Sequence, residues 1–253
     1  MLRHSTNQTK KSIIMATYHF SVKSGRKGTS KEHSRYITRQ GKYKGQSDDL
    51  IAHGFGNLPE WANDPQELWH AADNYERKNG AAYRELEVAL PNQLTHEQQV
   101  LLVEKLIQKE IGSKAYEYAI HEPIASLGKV PQPHVHLMYS DRIPDGIPRA
   151  ASQHFSRFNR QNPHLGGCQK DGCGRGSAEL RSQVIEMRAL WSKLANESLA
   201  EYGYTERVDH RSHSERGLTT KPARHLGQAR IREQMKYRAE EMPNHQKSGG
   251  KQV

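Results

Sequence analysis

In the segment Pro133-His134-Val135-His136-Leu137-Met138, two imidazoles stand two residues apart, a spacing that points both to one face of an extended strand. Two rings so placed can grip one metal ion. A third histidine, His121, ends the segment Ala115-Tyr116-Glu117-Tyr118-Ala119-Ile120-His121, and a stretch containing Pro123, Pro131 and Pro133 then turns the chain back. Hairpin partners would bring all three rings together. An imidazole triad without cysteine leaves coordination positions open, as a catalytic ion requires, and it tolerates manganese or magnesium when a phosphate oxygen completes the shell. The competing reading is a solvated strand, since the chain carries 15 histidines and one His-X-His can arise by chance. His121 tips the balance toward metal.

A basic block upstream indicates the substrate. Lys23, Arg26, Lys27, Lys31, Arg35, Arg39, Lys42 and Lys44 surround Tyr36 and Tyr43, with only Glu32 to offset them. Cations interleaved with phenols suit a nucleic-acid backbone: the cations neutralise phosphates, and a phenol either stacks on bases or attacks phosphorus. The plainer alternative is a solvated charged face.

The elements that must position these residues follow from patterning. Tyr18, Phe20 and Val22 alternate with polar residues and read as a half-buried strand. Thr29 and Glu32 have capping-box spacing, so a short helix carrying Tyr36 is expected from about Ser30 to Arg39, ending at Gly41. Asp64-Pro65 opens a helix that continues from Glu67 to Asn79 and stops at Gly80. In the strand Tyr83 to Leu90, Leu86, Val88 and Leu90 share one face while Glu85 and Glu87 share the other. Thr95 and Gln98 cap a helix that reaches Gly112, before the His121 strand and the His-Val-His strand. Arg142 to Gly176 is rich in turn residues and reads as irregular, and Glu179 to Tyr202 has helical apolar spacing. The order strand, helix, helix, strand, helix, strand, strand, helix, with a central hairpin, indicates an α+β fold: a central antiparallel sheet flanked by helices, which this pattern sets on one face.

Residues 1–14 are polar and patternless, and Met15 would serve equally as a start, so they are expected to be a dispensable leader. One domain is expected over 15–227, followed over 228–253 by a helix beyond Arg224 and a disordered tail from Pro243. The chain of 253 residues carries a net charge of +10, with a pI near 9.5 and mean hydropathy of -0.94. No apolar run approaches the roughly 20 residues of a membrane span, so no membrane insertion is expected. Cys168 and Cys173, the only cysteines, lie in a Gly-rich loop, which makes a disulfide framework improbable and a reducing cytoplasm the natural setting.

Several blocks together resemble the MobA/MobL-type plasmid mobilisation relaxases, members of the His-hydrophobic-His (HUH) endonucleases. They are Met15-Ala16-Thr17-Tyr18-His19-Phe20, His33-Ser34-Arg35-Tyr36-Ile37-Thr38-Arg39-Gln40-Gly41-Lys42-Tyr43, Glu85-Leu86-Glu87-Val88-Ala89-Leu90-Pro91, Ile120-His121, the His134–Met138 strand and Asp209-His210-Arg211. Their order covers nearly everything from Met15 to about Gly227. The resemblance implies the HUH endonuclease fold, with Tyr36 as the nucleophile that nicks one strand at a plasmid transfer origin. It assigns the metal to His121, His134 and His136. The product would be a 5′-phosphotyrosyl link with a free 3′-hydroxyl, and reversal would recircularise the transferred strand. It further implies relaxosome accessory proteins and a type IV secretion coupling protein as partners, with the protein itself carried to a recipient cell.

A phenol with a pKa of about 10 is a poor nucleophile at neutral pH, so Tyr36 needs cations, a base or a metal's field. Glu85 and Glu87 are the carboxylates available to orient a ligand histidine or to assist the proton from Tyr36; either alternatively is a solvated strand residue. Tyr43 is the competing nucleophile and otherwise a DNA contact, along with Lys23, Arg26, Lys27, Lys31, Arg35, Arg39 and Lys42. A zinc-knuckle reading of His164 to Cys173 fails on irregular spacing and the lack of a fourth ligand. Asp209-His210-Arg211 reads as an ion pair or a backbone phosphate contact. Two other functions use the same residues: a rolling-circle replication initiator with the same chemistry, and a non-catalytic DNA-binding protein whose histidines are structural.

Overall fold

The computed structural model describes residues 18–125 and 129–219. The leader 1–14, the helix beyond Arg224 and the tail from Pro243 lie outside them. Contacts divide the chain into a unit of residues 1–123 and 132–210, which holds the sheet, and a second unit of residues 124–131 and 211–253. In the second unit Ile124 bridges Pro131, and Ser212 and Glu215 close a turn through the Glu215 carboxylate.

Five strands form one antiparallel sheet in the order β1-β3-β5-β4-β2, with β1 Phe20–Arg26, β2 Leu50–Gly56, β3 Ala81–Ala89, β4 Tyr116–His121 and β5 His134–Tyr139. Central β4 and β5 are joined as a hairpin, and their register sets His121 opposite His134. Helices α1 Ser30–Ile37, α2 Pro65–Tyr75, α3 His96–Leu106, α4 Ala151–His154 and α5 Ser177–Glu201 surround it.

Helices cover both faces, not one. Leu86, Val88, Val135 and Leu137 pack against Leu102 and Leu106 of α3 and Trp191 and Leu194 of α5. On the opposite face, Ala119 and Met138 lie under Ile37 of α1 and Leu68 and Trp69 of α2. The alternation that makes Glu85 and Glu87 look like a solvent face in sequence is real as periodicity, but α1 lies over that face and Glu85 is only 2% exposed.

β2 is an edge strand that sequence patterning does not reveal. Its Leu-Ile-Ala-His-Gly-Phe-Gly sequence has no clean alternation, and two glycines weaken it as a strand signal. Those glycines have a packing reason: a Cβ at Gly54 would come within 2.8 Å of the Tyr118 ring, and one at Gly56 within 2.6 Å of the Tyr116 hydroxyl.

Boundaries shift for local reasons. β1 runs to Arg26 rather than stopping at Val22. α1 ends at Ile37, two residues early, and Arg39 takes a left-handed backbone with φ 55°. The Thr29 hydroxyl makes no capping bond; it donates to the Arg26 carbonyl instead, and Asp73 of α2 accepts from the N–H groups of Gly28, Ser30 and Lys31. α2 begins with the expected Asp64 cap and Pro65 but stops at Tyr75, because Glu76 turns extended and inward. The Thr95/Gln98 capping box of α3 is present, and a wide turn over Ile107–Ile111 carries the chain to Gly112 at φ 62°.

Between β5 and α5 the chain is largely irregular, as its turn residues indicate. Two buried arginines organise it. Arg142 donates to the carbonyls of Phe155, Ser156 and Cys168 while paired with Glu76, and Arg149 donates to the carbonyls of Ile147, Pro163 and Gly166 while paired with Asp145. Guanidinium donors here satisfy backbone groups that a helix or sheet would otherwise satisfy. No helix among the described residues is long and apolar enough to cross a membrane.

Candidate active site

The hairpin register carries the three imidazoles to the His121/His134 end of β4 and β5. Their centroids are 5.5 Å apart for His121 and His134, 5.0 Å for His121 and His136 and 5.1 Å for His134 and His136. One nitrogen from each lies within 4.8 Å of the others. His136 donates from Nδ1 to Glu85 (2.7 Å) and His134 from Nδ1 to the Gln132 carbonyl (2.9 Å), which leaves each lone pair on Nε2. His121 donates from Nε2 to the Ile37 carbonyl (2.6 Å), and its Nδ1 accepts from Arg39 Nη2 at 3.3 Å. Burial pushes the His121 imidazole down to about 4 and also lowers that of His134, so both are neutral. His134 and His136 each present an Nε2 lone pair with the ring held through Nδ1, and His121 presents Nδ1, whose lone pair would pass from Arg39 to an ion; one nitrogen from each ring makes a fitting donor set for a divalent ion.

Tyr36 sits on α1 with 36% exposure, its ring 6.4 Å from that of His136. The Arg39 guanidinium stacks over the Tyr36 ring at 4.9 Å and forks onto both oxygens of Asp49 at 2.8 and 2.7 Å. It also donates to the Tyr36 carbonyl (2.8 Å). Arg39 is thus a buried link between Tyr36, Asp49 and His121 rather than an open phosphate contact. Tyr43 lies edge-on to Tyr36 at 5.3 Å in the 3-10 turns that follow α1, with Lys42 over its own ring at 5.0 Å.

The two glutamates differ sharply. Burial opposes ionisation of Glu85, yet hydrogen bonds from His136 and His33 outweigh it and hold the carboxyl far below the ordinary range. Such a carboxylate orients imidazoles well and accepts a phenol proton poorly. Glu87 is more open, pairs with Lys23, and stands opposite His136 in register.

Arg26 and Lys27 lie exposed on the β1–α1 turn and Lys31 half-buried on α1, while Arg35 bonds Gln66 at 3.2 Å and Lys42 pairs with Glu32 at 2.5 Å. His33, Asp49 and Asp73 are participants that sequence reasoning missed. His33 had a signal, one helical turn before Tyr36; Asp49 and Asp73 had none, because their partners are 10 and more than 40 residues away.

A cleft of about 780 Å³ lies elsewhere, at the far end of β4 and β5, and is lined by Trp61, Arg149, His154 and Cys168 among others. Cys168 is buried there, 3.4 Å from His154 Nδ1, and Cys173 is exposed. Neither belongs to a metal-binding cluster among the described residues. Asp209 lies near Tyr18, whose phenol is pushed up to about 12, chiefly by burial.

The chain is similar in fold and in sequence to known proteins. A chain solved in work on the molecular basis of vancomycin resistance transfer in Staphylococcus aureus superposes with a TM-score of 0.57 at 20% identity, covering 78% of this chain and 100% of that one, a likeness of fold. The "43 kDa relaxation protein" of Salmonella typhimurium is 42% identical over 81% of this chain and 56% of its own length. "Mobilization protein A" of Escherichia coli is 38% identical over 84% of this chain and 30% of its own. The chain therefore spans about half or less of these relatives. The model of the MobA/MobL family matches residues 16–236, and with these relatives it shows that the chain belongs to the MobA/MobL family.

Proposed function

We propose that this chain is a relaxase: it nicks one strand of DNA at a plasmid transfer origin and later rejoins it. Tyr36 is the nucleophile. Its hydroxyl oxygen gives up its proton and forms a bond to phosphorus as the bond to the 3′-oxygen breaks, leaving a 5′-phosphotyrosyl link and a 3′-oxygen that takes up a proton to become the 3′-hydroxyl. A divalent ion held by His121, His134 and His136, manganese or magnesium, would polarise a non-bridging phosphate oxygen. Glu85 holds the His136 ring with Nε2 turned away from the carboxylate. Arg39 holds its guanidinium over the face of the Tyr36 ring and so fixes the ring's position.

The observation that carries this reading is the convergence of an exposed phenol and three imidazoles on one end of the sheet, 6.4 Å apart at Tyr36 and His136. The names of the relatives support it in relaxation and mobilisation. The substrate is single-stranded at the nick, because a stacked duplex presents its backbone poorly to a tyrosine held this close to the sheet. Accessory proteins that open the duplex, and a coupling protein of a type IV secretion channel, are the partners this activity calls for.

The test is incubation with a labelled single-stranded oligonucleotide spanning the transfer origin of the plasmid that encodes the chain, with manganese, magnesium or chelator, beside Tyr36→Phe. A covalent adduct that needs both metal and Tyr36 is expected. An adduct that persists in Tyr36→Phe would move the nucleophile, with Tyr43 as the nearest phenol, and absence of any adduct would favour a binding protein.

A further inference from the structure

One residue in this site has no part in the chemistry above. His33 lies on α1 one turn before Tyr36, and its Nε2 donates to Glu85 Oε1 at 3.0 Å. The same oxygen accepts from His136 Nδ1 at 2.7 Å. One buried carboxylate oxygen therefore joins the nucleophile's helix to a metal-ligand candidate on β5. The imidazole of His33 is held between two phenols: 5.3 Å from Tyr83 at an interplanar angle of 13°, and 5.9 Å from Tyr36 at 27°. Tyr83 itself lies on β3 two residues before Glu85, in space that only Gly25 leaves open, since a Cβ there would fall 1.7 Å from the Tyr83 ring.

We propose that His33 is a positioning residue that sets Tyr36 and His136 in register with each other through the shared Glu85 oxygen. The inference rests on the relaxase reading for its consequence, though not for its geometry. α1 is short and is held elsewhere by contacts that do not reach the metal-ligand candidates of β5: Gln66 to the Ser34 hydroxyl at 2.6 Å, and Asp73 at its N-terminus. The Ile37 carbonyl fixes His121, at the other end of the helix and on another strand. Among the described residues, only the His33–Glu85–His136 chain joins α1 to β5 through hydrogen bonds to a ring. Loss of that link lets the phenol and the imidazole drift independently, and displacements on the order of 1 Å in such sites cost about a hundredfold in rate. A merely space-filling His33 would instead act through its stacking on Tyr83 and Tyr36, and an aromatic ring without a donor would replace it.

Three substitutions in the full chain separate these roles. His33→Phe keeps the stack and removes the bond. His33→Gln carries an amide nitrogen to roughly the position of Nε2, and His33→Asn stops about one bond short of it. Two readouts apply: manganese affinity by calorimetry without DNA, and the single-turnover rate of adduct formation at saturating manganese, with melting temperature recorded for each. His33→Phe and His33→Asn should each lose about tenfold in manganese affinity and about tenfold or more in the saturated rate, with His33→Gln recovering most of both. Wild-type values in His33→Phe, or a His33→Gln as impaired as His33→Asn, would overturn the proposal. If His33→Phe fails to fold, the comparison of Gln with Asn decides. If the wild-type protein forms no adduct, the relaxase reading falls on that result, while manganese affinity across the series still judges His33.

Discussion

Glu85 and Glu87 carry the same group on the same face of β3, and their surroundings give them different consequences. Glu85 is 2% exposed and accepts from two imidazoles, whereas Glu87 meets Lys23 in a half-open setting. Glu85→Gln removes the charge that holds the His136 ring and should weaken manganese binding by about 10- to 100-fold, as second ligand-orienting carboxylates do elsewhere. Glu87→Gln should weaken it less, and calorimetry on the two variants measures the difference; equal losses would show that Glu85 does not act through His136. Arg39 makes a parallel case. Arg39→Lys keeps a charge but loses the fork onto Asp49 and the bond to the Tyr36 carbonyl, and should slow adduct formation by about tenfold or more, with single-strand affinity little changed. Chemistry at this scale was legible where it is periodic: the His-X-His spacing and the preceding strand led to the imidazole cluster. The Arg39–Asp49 fork was not, because Arg39 reads as one more cation of a basic block until the left-handed turn at its own backbone carries it inward.

Local capping explains which elements could be read and which could not. α3 opens with a reciprocal Thr95/Gln98 box written entirely in adjacent residues. α1 has the same spacing at Thr29/Glu32, yet its N-terminus is satisfied by Asp73 from α2, a choice made by packing and invisible to a local pattern. Because one carboxylate serves three backbone donors, Asp73→Ala should destabilise the fold by about 1–2 kcal/mol, and amide hydrogen exchange should report the loss first at Gly28, Ser30 and Lys31. The irregular stretch after β5 owes its order to Glu76 and Arg142, both almost fully buried. Burial alone would raise the Glu76 carboxyl, but Arg142, the Arg77 N–H and Lys170 outweigh it and hold it below its ordinary value of 4.5. A carboxyl that ionises more readily when folded adds its full stability above that ordinary value. The contribution fades as pH falls below it, through the folded value. Glu76→Gln should therefore cost roughly 3 kcal/mol at neutral pH, where it strands Arg142. The gap to wild type should narrow in denaturant titrations below about pH 4. A gap constant with pH would mean that Glu76 does not gain its stabilisation as a carboxylate.

Across the whole molecule the net charge of +10 predicts affinity for a polyanion, but the total does not say which cations are available to bind it. Of the cations around Tyr36, Lys23 is answered by Glu87, Arg35 and Lys42 by Glu32, and Arg39 by Asp49. Arg26, Lys27, Lys31 and Lys44 have no ion pair among the described residues. The first three lie where β1 gives way to α1, five to ten residues ahead of Tyr36. With Lys44, they are the cations of the block expected to release counterions from a bound strand. Each phosphate they neutralise contributes about 0.7 to the slope of log affinity against log salt for single-stranded DNA. Replacing Arg26, Lys27 and Lys31 by alanine should therefore lower that slope by about 2, weakening binding alike for origin and unrelated oligonucleotides. Arg39→Lys should leave the slope unchanged, because its charge is already spent on Asp49. Fluorescence anisotropy over a range of salt concentrations measures both. A triple variant with the wild-type slope would place the DNA path away from this turn, and a large slope change in Arg39→Lys would mean that the Asp49 fork opens to admit a phosphate.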